Sequence, residues 1–312
     1  MAVVGLVGFA GVIVFGLLYI VFFFKGISLK LPTIGMAVFV LVIAAAAIIP
    51  RLELSLPQLP FPGGGPSQTA SAEYPGADGF PQLLLDKRGL VITATGLDET
   101  DARGPVLNVT IENRSETNVT VEIRDACVNG WMMDASFSAA ADAGQRTEGA
   151  ILFLASGMKR SGIETIAELE FSFHILNQDR ITFLDSDTVT VRTPAADAYQ
   201  YRFDDSGEEL YHENGVRIIS KGFSKDAPGL VLFLENTTEK TITVQARDVS
   251  VNGKAANVTF SEDILAGRRS AAAVIITGVS LEQIKEMRFW LRVTDRDRRT
   301  VLFDTESFTI IV

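Results

Sequence analysis

The soluble part of this 312-residue chain is predicted to have an all-β fold, arranged as two tandem β-sandwich modules behind a membrane anchor and a stalk. Three observations predict it. Two long runs near the N-terminus lack charged residues, a proline-rich segment follows them, and the rest of the sequence repeats itself. The chain is thereby divided into an anchor, a stalk, a first module, a linker and a second module: residues 1–50, 51–82, 83–195, 196–211 and 212–312.

The predicted anchor is a hairpin of two transmembrane helices, about residues 2–24 and 31–50, neither of which contains a charged side chain. Each run is about 20 residues long, enough for a helix to cross a hydrocarbon core of ~30 Å. A signal peptide cleaved after the second run is the alternative interpretation, because Lys25 and Lys30 precede that run and small residues stand near its end.

The orientation of the anchor follows from the same two lysines, which lie in the connector between the runs. Basic residues near spans favour the cytoplasmic side, so the connector is predicted to be cytoplasmic and both chain ends outside. The predicted location is therefore the cell membrane with extracytoplasmic C-terminal modules, and the lipid bilayer is the first predicted partner.

The stalk is predicted from proline content, because residues 50–81 hold seven of the eleven prolines and the run Gly63-Gly64-Gly65. Such a composition cannot form a packed core and favours an extended chain. At ~3.1 Å per residue it would reach on the order of 100 Å.

The internal repeat defines the two modules. Several blocks recur at a constant separation of 123 residues: Asn113, Arg124-Asp125, Val128-Asn129-Gly130 and Gly144 return as Asn236, Arg247-Asp248, Val251-Asn252-Gly253 and Gly267. Further along, the separation falls to 118 or 119, as an insertion or deletion in a loop would produce.

Within each copy, apolar residues alternate with polar ones at a period of two, which is the signature of half-buried strands. Asn129-Gly130 and Asn252-Gly253 stand between such strands and predict tight hairpin turns, since both central turn positions need a positive φ. About seven strands per copy, with one short helical turn near Ile163–Glu168, are typical of an immunoglobulin-like (Ig-like) sandwich.

The order of these motifs resembles that of Ig-like ectodomains of membrane-anchored proteins in Gram-positive bacteria. The motifs are a strand, an Asn-rich turn, Val-Asn-Gly, Ala-Gly-Gln/Arg and Ile-x-x-Ile-x-Glu, over residues ~85–193 and ~212–312. The resemblance implies an extracytoplasmic location; it brings no known activity and no functional residues.

Charge and cysteine content limit the partners. The net charge of −10 repels phosphate backbones, so nucleic acid is not an expected partner. Cys127 is the only cysteine, which rules out an intrachain disulfide. Its place among strand residues predicts a small buried apolar side chain, with an intermolecular bridge as the alternative.

The alternation slips by one residue at Arg124-Asp125, and again at Arg247-Asp248. A slip at the same place in both copies predicts a β-bulge or a strand that changes sheets there, with the aspartates capping local backbone amides and the arginines pairing across strands; a shared binding determinant is the alternative. The repeated positions predicted to be structural are Asp125, Asn129, Gly130, Asp248, Asn252 and Gly253.

One candidate binding surface is specific to the second copy. Val231 and Phe233 occupy positions that are Asn108 and Thr110 in the first copy, and Trp290 replaces Ser172 in the same way. If Val231, Phe233 and Trp290 lie together outside the module, they form a patch for a partner. The alternatives are packing of one module on the other and a crossing loop that covers these side chains.

No catalytic, cofactor-binding or metal-binding residues are predicted. The chain has only two histidines, too few for a histidine metal site of the usual kind, and it lacks a nucleophile-elbow motif. The predicted function is therefore a membrane-anchored binding or structural protein that presents its modules to a protein or envelope partner. The alternatives are an extracytoplasmic hydrolase with a carboxylate pair between the modules and a cytoplasm-facing sensor.

Overall fold

The computed structural model describes residues 78–224 and 229–312. The two predicted membrane spans and nearly all of the predicted stalk lie outside the described residues. Within the described ranges, no helix is both long and apolar enough to cross a membrane.

The described part is built of β-strands, as the period-two alternation predicted. The first module contains β1 (Gln82–Lys87), β2 (Leu90–Asp98), β3 (Val106–Asn113), β4 (Val119–Val128), β5 (Trp131–Met132), β6 (Ala135–Ser136), β7 (Ser138–Ala141), β8 (Arg146–Phe153), helix α1 (Ala155–Ser161), β9 (Glu168–Asn177) and β10 (Thr182–Arg192).

The second module repeats this order. It contains β11 (Glu208–Glu213), β12 (Val216–Ser224), β13 (Gly229–Asn236), β14 (Ile242–Val251), β15 (Lys254–Ala255), β16 (Asn257–Thr259), β17 (Ser261–Ile264), β18 (Arg269–Thr277), a 3-10 helix (Leu281–Gln283), β19 (Glu286–Asp295), β20 (Thr300–Asp304) and β21 (Phe308–Ile311). Strand β11 begins inside the stretch predicted as linker, so the strand-free connection between the modules is shorter than 196–211.

The helical turn predicted near Ile163–Glu168 is misplaced in the first module. Its helix spans Ala155–Ser161 and ends at Gly162, whose left-handed backbone (φ 65°) suits a residue without Cβ. Only the second module has a helical turn at the predicted place, Leu281–Gln283. The first module therefore carries an additional helix, which lies in the stretch where the repeat separation changes.

Each module is a sandwich of two antiparallel sheets with the same strand connections. In the first, β1-β2-β3-β8 faces β7-β4-β9-β10; in the second, β11-β12-β13-β18 faces β17-β14-β19-β20. The chain crosses between sheets from β3 to β4 and from β8 to β9, and likewise from β13 to β14 and from β18 to β19. The repeat in the sequence thus corresponds to a repeat in topology.

Alternate side chains on these strands form the cores. Burial of apolar surface stabilises the fold by roughly 25 cal/mol per Å² of area removed from water. In the first module, Phe171, Phe173 and Ile175 of β9 point inward, while Ser172 lies on the opposite face and is partly exposed. In the second, Phe289 and Leu291 of β19 take the inward positions.

One turn is built in the same way in both modules. Asn113 donates from Nδ2 to the carbonyl oxygens of Thr117 and Ala141, each at 2.9 Å, and its Oδ1 accepts from Ser115. Asn236 makes the equivalent bonds to Lys240 (2.8 Å) and Ile264 (3.0 Å), one more to the Leu265 carbonyl (3.1 Å), and accepts from Thr238. Both amides are fully buried. They therefore tie the β3–β4 turn, or its repeat, to the opposite sheet.

The predicted hairpin turns and bulges are present. Asn129 and Gly130 have φ values of 50° and 79°, and Asn252 and Gly253 have 51° and 74°. Asp125 and Asp248 also have positive φ, and the ladder between β4 and β9, or β14 and β19, shifts register beside them. The slip in alternation is thus a β-bulge in each module.

Candidate functional site between the two modules

The two modules share one ten-stranded sheet, which continues from the β4 sheet of the first module into the β13 sheet of the second. The junction is a parallel pairing of β5 with β18, at Trp131 and Arg269. There, the backbone N–H of Arg269 donates to the carbonyl of Gly130 at 3.2 Å. The hairpin turn at Asn129-Gly130 therefore positions the strand that joins the modules.

Apolar side chains cover this junction. Phe233 is 1 % exposed and belongs to the hydrophobic cluster of the first module, although it lies on β13 of the second. Its ring meets Trp131 edge-on at a centroid distance of 5.6 Å and stacks on Phe203 at 5.9 Å. The Arg269 guanidinium carbon lies 4.1 Å from the centroid of the Phe203 ring.

The predicted partner patch is therefore corrected. Val231 and Phe233 are buried, and Phe233 packs against the first module, so neither is available as an exposed surface. Trp290 lies on β19 in a different sheet and is only partly exposed. Its Nε1 donates to Asp248 Oδ2 at 2.7 Å, and the Arg292 guanidinium lies over its ring.

A sequence signal for this burial was present in β13. Gly229–Asn236 contains the uninterrupted apolar run Leu230-Val231-Leu232-Phe233-Leu234, whereas the matching strand β3 alternates. Apolar and polar residues alternate along a strand that is covered on one face, whereas a strand covered on both faces is apolar throughout. The run therefore indicates a second covering layer, which the first module supplies.

Ion pairs cross between the modules beside the aromatic contact. Arg268 Nη2 lies 2.6 Å from Glu170 Oε1, and Arg296 binds Asp125 with both nitrogens, at 2.5 and 3.3 Å. Asp125 thus pairs with an arginine of the other module, which differs from the predicted capping of local amides. Because one arginine meets both carboxylate oxygens, this pair also fixes the orientation of the modules.

A polar cleft of about 300 Å³ lies between the modules at this edge. Helix α1 forms one wall, and its Arg160 donates from Nε to the carbonyl of Ala271 at 2.9 Å. Four carboxylates line the cleft, together with methionine, serine and arginine side chains: Asp125, Asp134, Glu262, Asp263, Met132, Met133, Ser270 and Arg160.

Glu262 is a largely buried acid of this cleft whose pKa is shifted. Burial raises the pKa of its carboxyl, and the charge of Asp134 adds to the rise, while a hydrogen bond from Ser270 opposes it. Ser270 Oγ lies 2.5 Å from Glu262 Oε1. The cleft therefore holds a carboxyl that binds a proton more tightly than an exposed glutamate does.

Cys127 lies behind the same interface. It is fully buried, as the sequence predicted, and its Sγ lies 3.5 Å from Met132 Sδ. Burial raises the pKa of this thiol to about 12, with a further contribution from the charge of Glu170. The thiol is thus protonated and shielded wherever the modules stay together.

Two of the other acids of the cleft are engaged in ion pairs, which limits their use in catalysis or metal binding. Asp125 is paired with Arg296, and Arg160 lies 3.8 Å from Asp134. Over residues 78–224 and 229–312, no group of three or more His, Cys, Asp or Glu side chains is placed to hold a metal ion.

Comparisons with known proteins assign no family. No family model and no curated protein matches the chain. Among solved structures, the YadV chaperone is 12 % identical, covers 72 % of this chain and 100 % of its own, and has a TM-score of 0.24. The E. coli chaperone DraB (13 %, 66 % and 89 %, TM-score 0.20) and the N-terminal periplasmic domain of ScsB from Proteus mirabilis (10 %, 76 % and 98 %, TM-score 0.22) are comparable. TM-scores this low support no structural or functional assignment.

Proposed function

We propose that this chain is a membrane-anchored display protein, whose two Ig-like sandwich modules form one stiff body outside the cytoplasm and bind a protein or envelope partner. The anchor and the stalk are the features predicted from residues 1–82. The two modules that would form the stiff body lie within the described residues.

The observation that carries the proposal is the continuous ten-stranded sheet through both modules. Domains joined only by a linker move independently, and a large apolar interface prevents that motion. Here the linker residue Phe203 is stacked on Phe233, and ion pairs flank the junction. A body held in this way keeps its surfaces in a fixed arrangement, which suits presentation to a partner at a distance from a membrane.

Cysteine labelling of intact cells tests the location. The native Cys127 is buried, with a pKa raised to about 12, and gives a low background. Lys254→Cys introduces a thiol at an exposed hairpin tip of the second module. We expect a membrane-impermeant maleimide to label this variant on intact cells.

The matched control is Ser28→Cys, in the connector that is predicted to be cytoplasmic. We expect it to react only after the membrane is made permeable. If position 254 also requires permeabilisation, the modules face the cytoplasm, and the sensor alternative replaces the display proposal.

A hydrolase is the second candidate function, since the cleft contains a carboxyl of raised pKa, Glu262, near other acids. Its test is turnover of chromogenic glycosides and esters by the full-length protein. A general acid at this place requires that Glu262→Gln lower turnover by at least about a hundredfold. Absence of turnover by the wild type excludes this candidate for those substrates.

A further inference from the structure

The second module shows how the outer face of its β13 sheet is covered, and this provides a template for the first. Ile219, Phe233 and Ala271 form a row across β12, β13 and β18. All three are buried and belong to the cluster of the first module. Beside this row, at the edge of β18 that faces away from β13, the N–H of Arg269 donates to the carbonyl of Gly130, and Arg160 donates to the carbonyl of Ala271.

The equivalent row of the first module is Thr93, Thr110 and Glu148, across β2, β3 and β8. All three are polar, and among the described residues no strand covers them. Two adjoining grooves of about 600 and 320 Å³ lie over this face and share Thr95, Thr110 and Arg146. Among the described residues, polar grooves therefore lie where aromatic rings pack on the second module, and Thr110 between them is buried and accepts a hydrogen bond from Arg146 Nη2 at 3.5 Å.

Within residues 78–224 and 229–312, the edge of β8 beside the grooves is also unpaired. Strand β6 pairs only with Leu152 and Phe153, and β3 takes the other edge. Arg146, Glu148 and Ala150 alternate outward along the remaining stretch and are exposed. In the internal repeat, Arg146 corresponds to Arg269, whose backbone N–H donates to the carbonyl of Gly130. Glu148 corresponds to Ala271, whose carbonyl accepts a hydrogen bond from Arg160.

We propose that this edge and groove are the binding site of the display body, and that they take an extended polypeptide segment of a different protein by strand addition. This proposal rests on the proposed binding function and names its site. Side chains over Asn108 and Glu148, which are exposed, must carry hydroxyl, amide or charged groups, because an apolar segment would bury these polar groups without partners. Arg146 and Glu148 select a segment with acidic and basic side chains at matching positions.

A second copy of the chain is a poor occupant of this site. Its own second module would present Lys254 where Trp131 stands in the internal junction, facing Thr110 in place of Phe233. The pair Glu170–Arg268 would become Arg288 with Gln145. Both of these contacts of the internal junction would be absent.

The test is selection of a displayed library of random linear dodecapeptides on the full-length protein in mild detergent. Hydrogen exchange then locates the bound peptide. We expect at least tenfold slower exchange at the amides of Arg146, Glu148 and Ala150. Failure to select any binder, or protection confined to other edges such as β10 or β20, overturns the proposed site.

Two variants separate backbone from side-chain binding. Glu148→Pro removes an edge N–H that β3 does not use, so the fold is retained, whereas Glu148→Ala removes only the carboxylate. We expect a loss of affinity of at least tenfold for the proline variant and less than threefold for the alanine variant. Equal affinities for both variants overturn strand addition, and the exchange map of the wild type decides the site even if the proline variant is unstable.

The two proposals fail separately. Peptide protection on another surface refutes this site and leaves a binding function in place. Labelling of position 254 only after permeabilisation refutes extracytoplasmic display and leaves the peptide site in place. Concentration-dependent dimerisation that Glu148→Pro abolishes identifies a second copy as the occupant and overturns the assignment to a different protein.

Discussion

Truncating Phe233 to alanine should separate the two modules without unfolding either. The ring is almost fully buried, and it lies between Trp131, Phe203 and the apolar cluster of the first module. Large-to-small changes of a buried aromatic cost about 3–5 kcal/mol, from lost transfer free energy and the cavity that remains. Because Phe233 points away from the core of its own module, that cost falls on the contact between modules.

Reactivity of Cys127 reports this separation. The thiol is fully buried and lies near Arg268 of the second module, so we expect it to react faster in molecules in which the modules have parted. A loss of 3–5 kcal/mol raises the parted population about a hundred- to several-thousandfold. We therefore expect iodoacetamide to label Phe233→Ala faster by that factor, and calorimetry to show two transitions in place of one.

The matched control is Thr110→Ala, at the equivalent position of the first module, where no module is docked. We expect less than about 1 kcal/mol of destabilisation and unchanged labelling, since nothing large is removed from a buried contact. If Phe233→Ala keeps a single transition and slow Cys127 labelling, the modules are not held together by this ring, and the account of a stiff body is wrong.

Three further outcomes follow from the described contacts. Asn113→Ala and Asn236→Ala should each cost about 2–4 kcal/mol in urea unfolding, because each leaves buried turn groups unpaired; clearly unequal losses would contradict equivalent turns. Wild-type Cys127 should resist alkylation at pH 8, where a pKa of about 12 leaves about one thiol in ten thousand ionised; it should react at once in urea. The raised pKa of Glu262 means that the folded state binds the proton more tightly, so stability should fall as pH rises above the ordinary value of 4.5. Glu262→Gln should remove that slope, measured by thermal melts from pH 4 to 8.

Local and repeated features of the fold could be predicted from the sequence. The Asn-Gly turns, the bulges at Asp125 and Asp248, and the sandwich period all depend on residues close together in the chain. Backbone sterics fix these features wherever the residues occur. Because each motif occurs in both copies, each prediction was supported by two separate stretches of the sequence.

The candidate site could not be predicted in the same way, because it depends on how one module meets the other. The patch prediction assumed that the polar face of β3 implies a solvent-facing β13. In fact Phe233 faces Trp131, about a hundred residues earlier in the chain. Likewise, the partner of Asp125 is Arg296, and no local pattern relates the two.

The asymmetry between the modules follows from the geometry of their junction. Strand β5 of one module docks on β18 of the next, which is a head-to-tail contact between unlike surfaces; repeated without change, such a contact builds an open array. Terminal repeats must therefore lose one surface each. The second module has Lys254 where the first has Trp131, and the first has Thr110 where the second has Phe233. Among the described residues, the same substitution accompanies an unpaired β8 edge and a polar groove in the first module. On this reasoning, the same few residues disfavour docking of a further identical module and provide a site for a different chain.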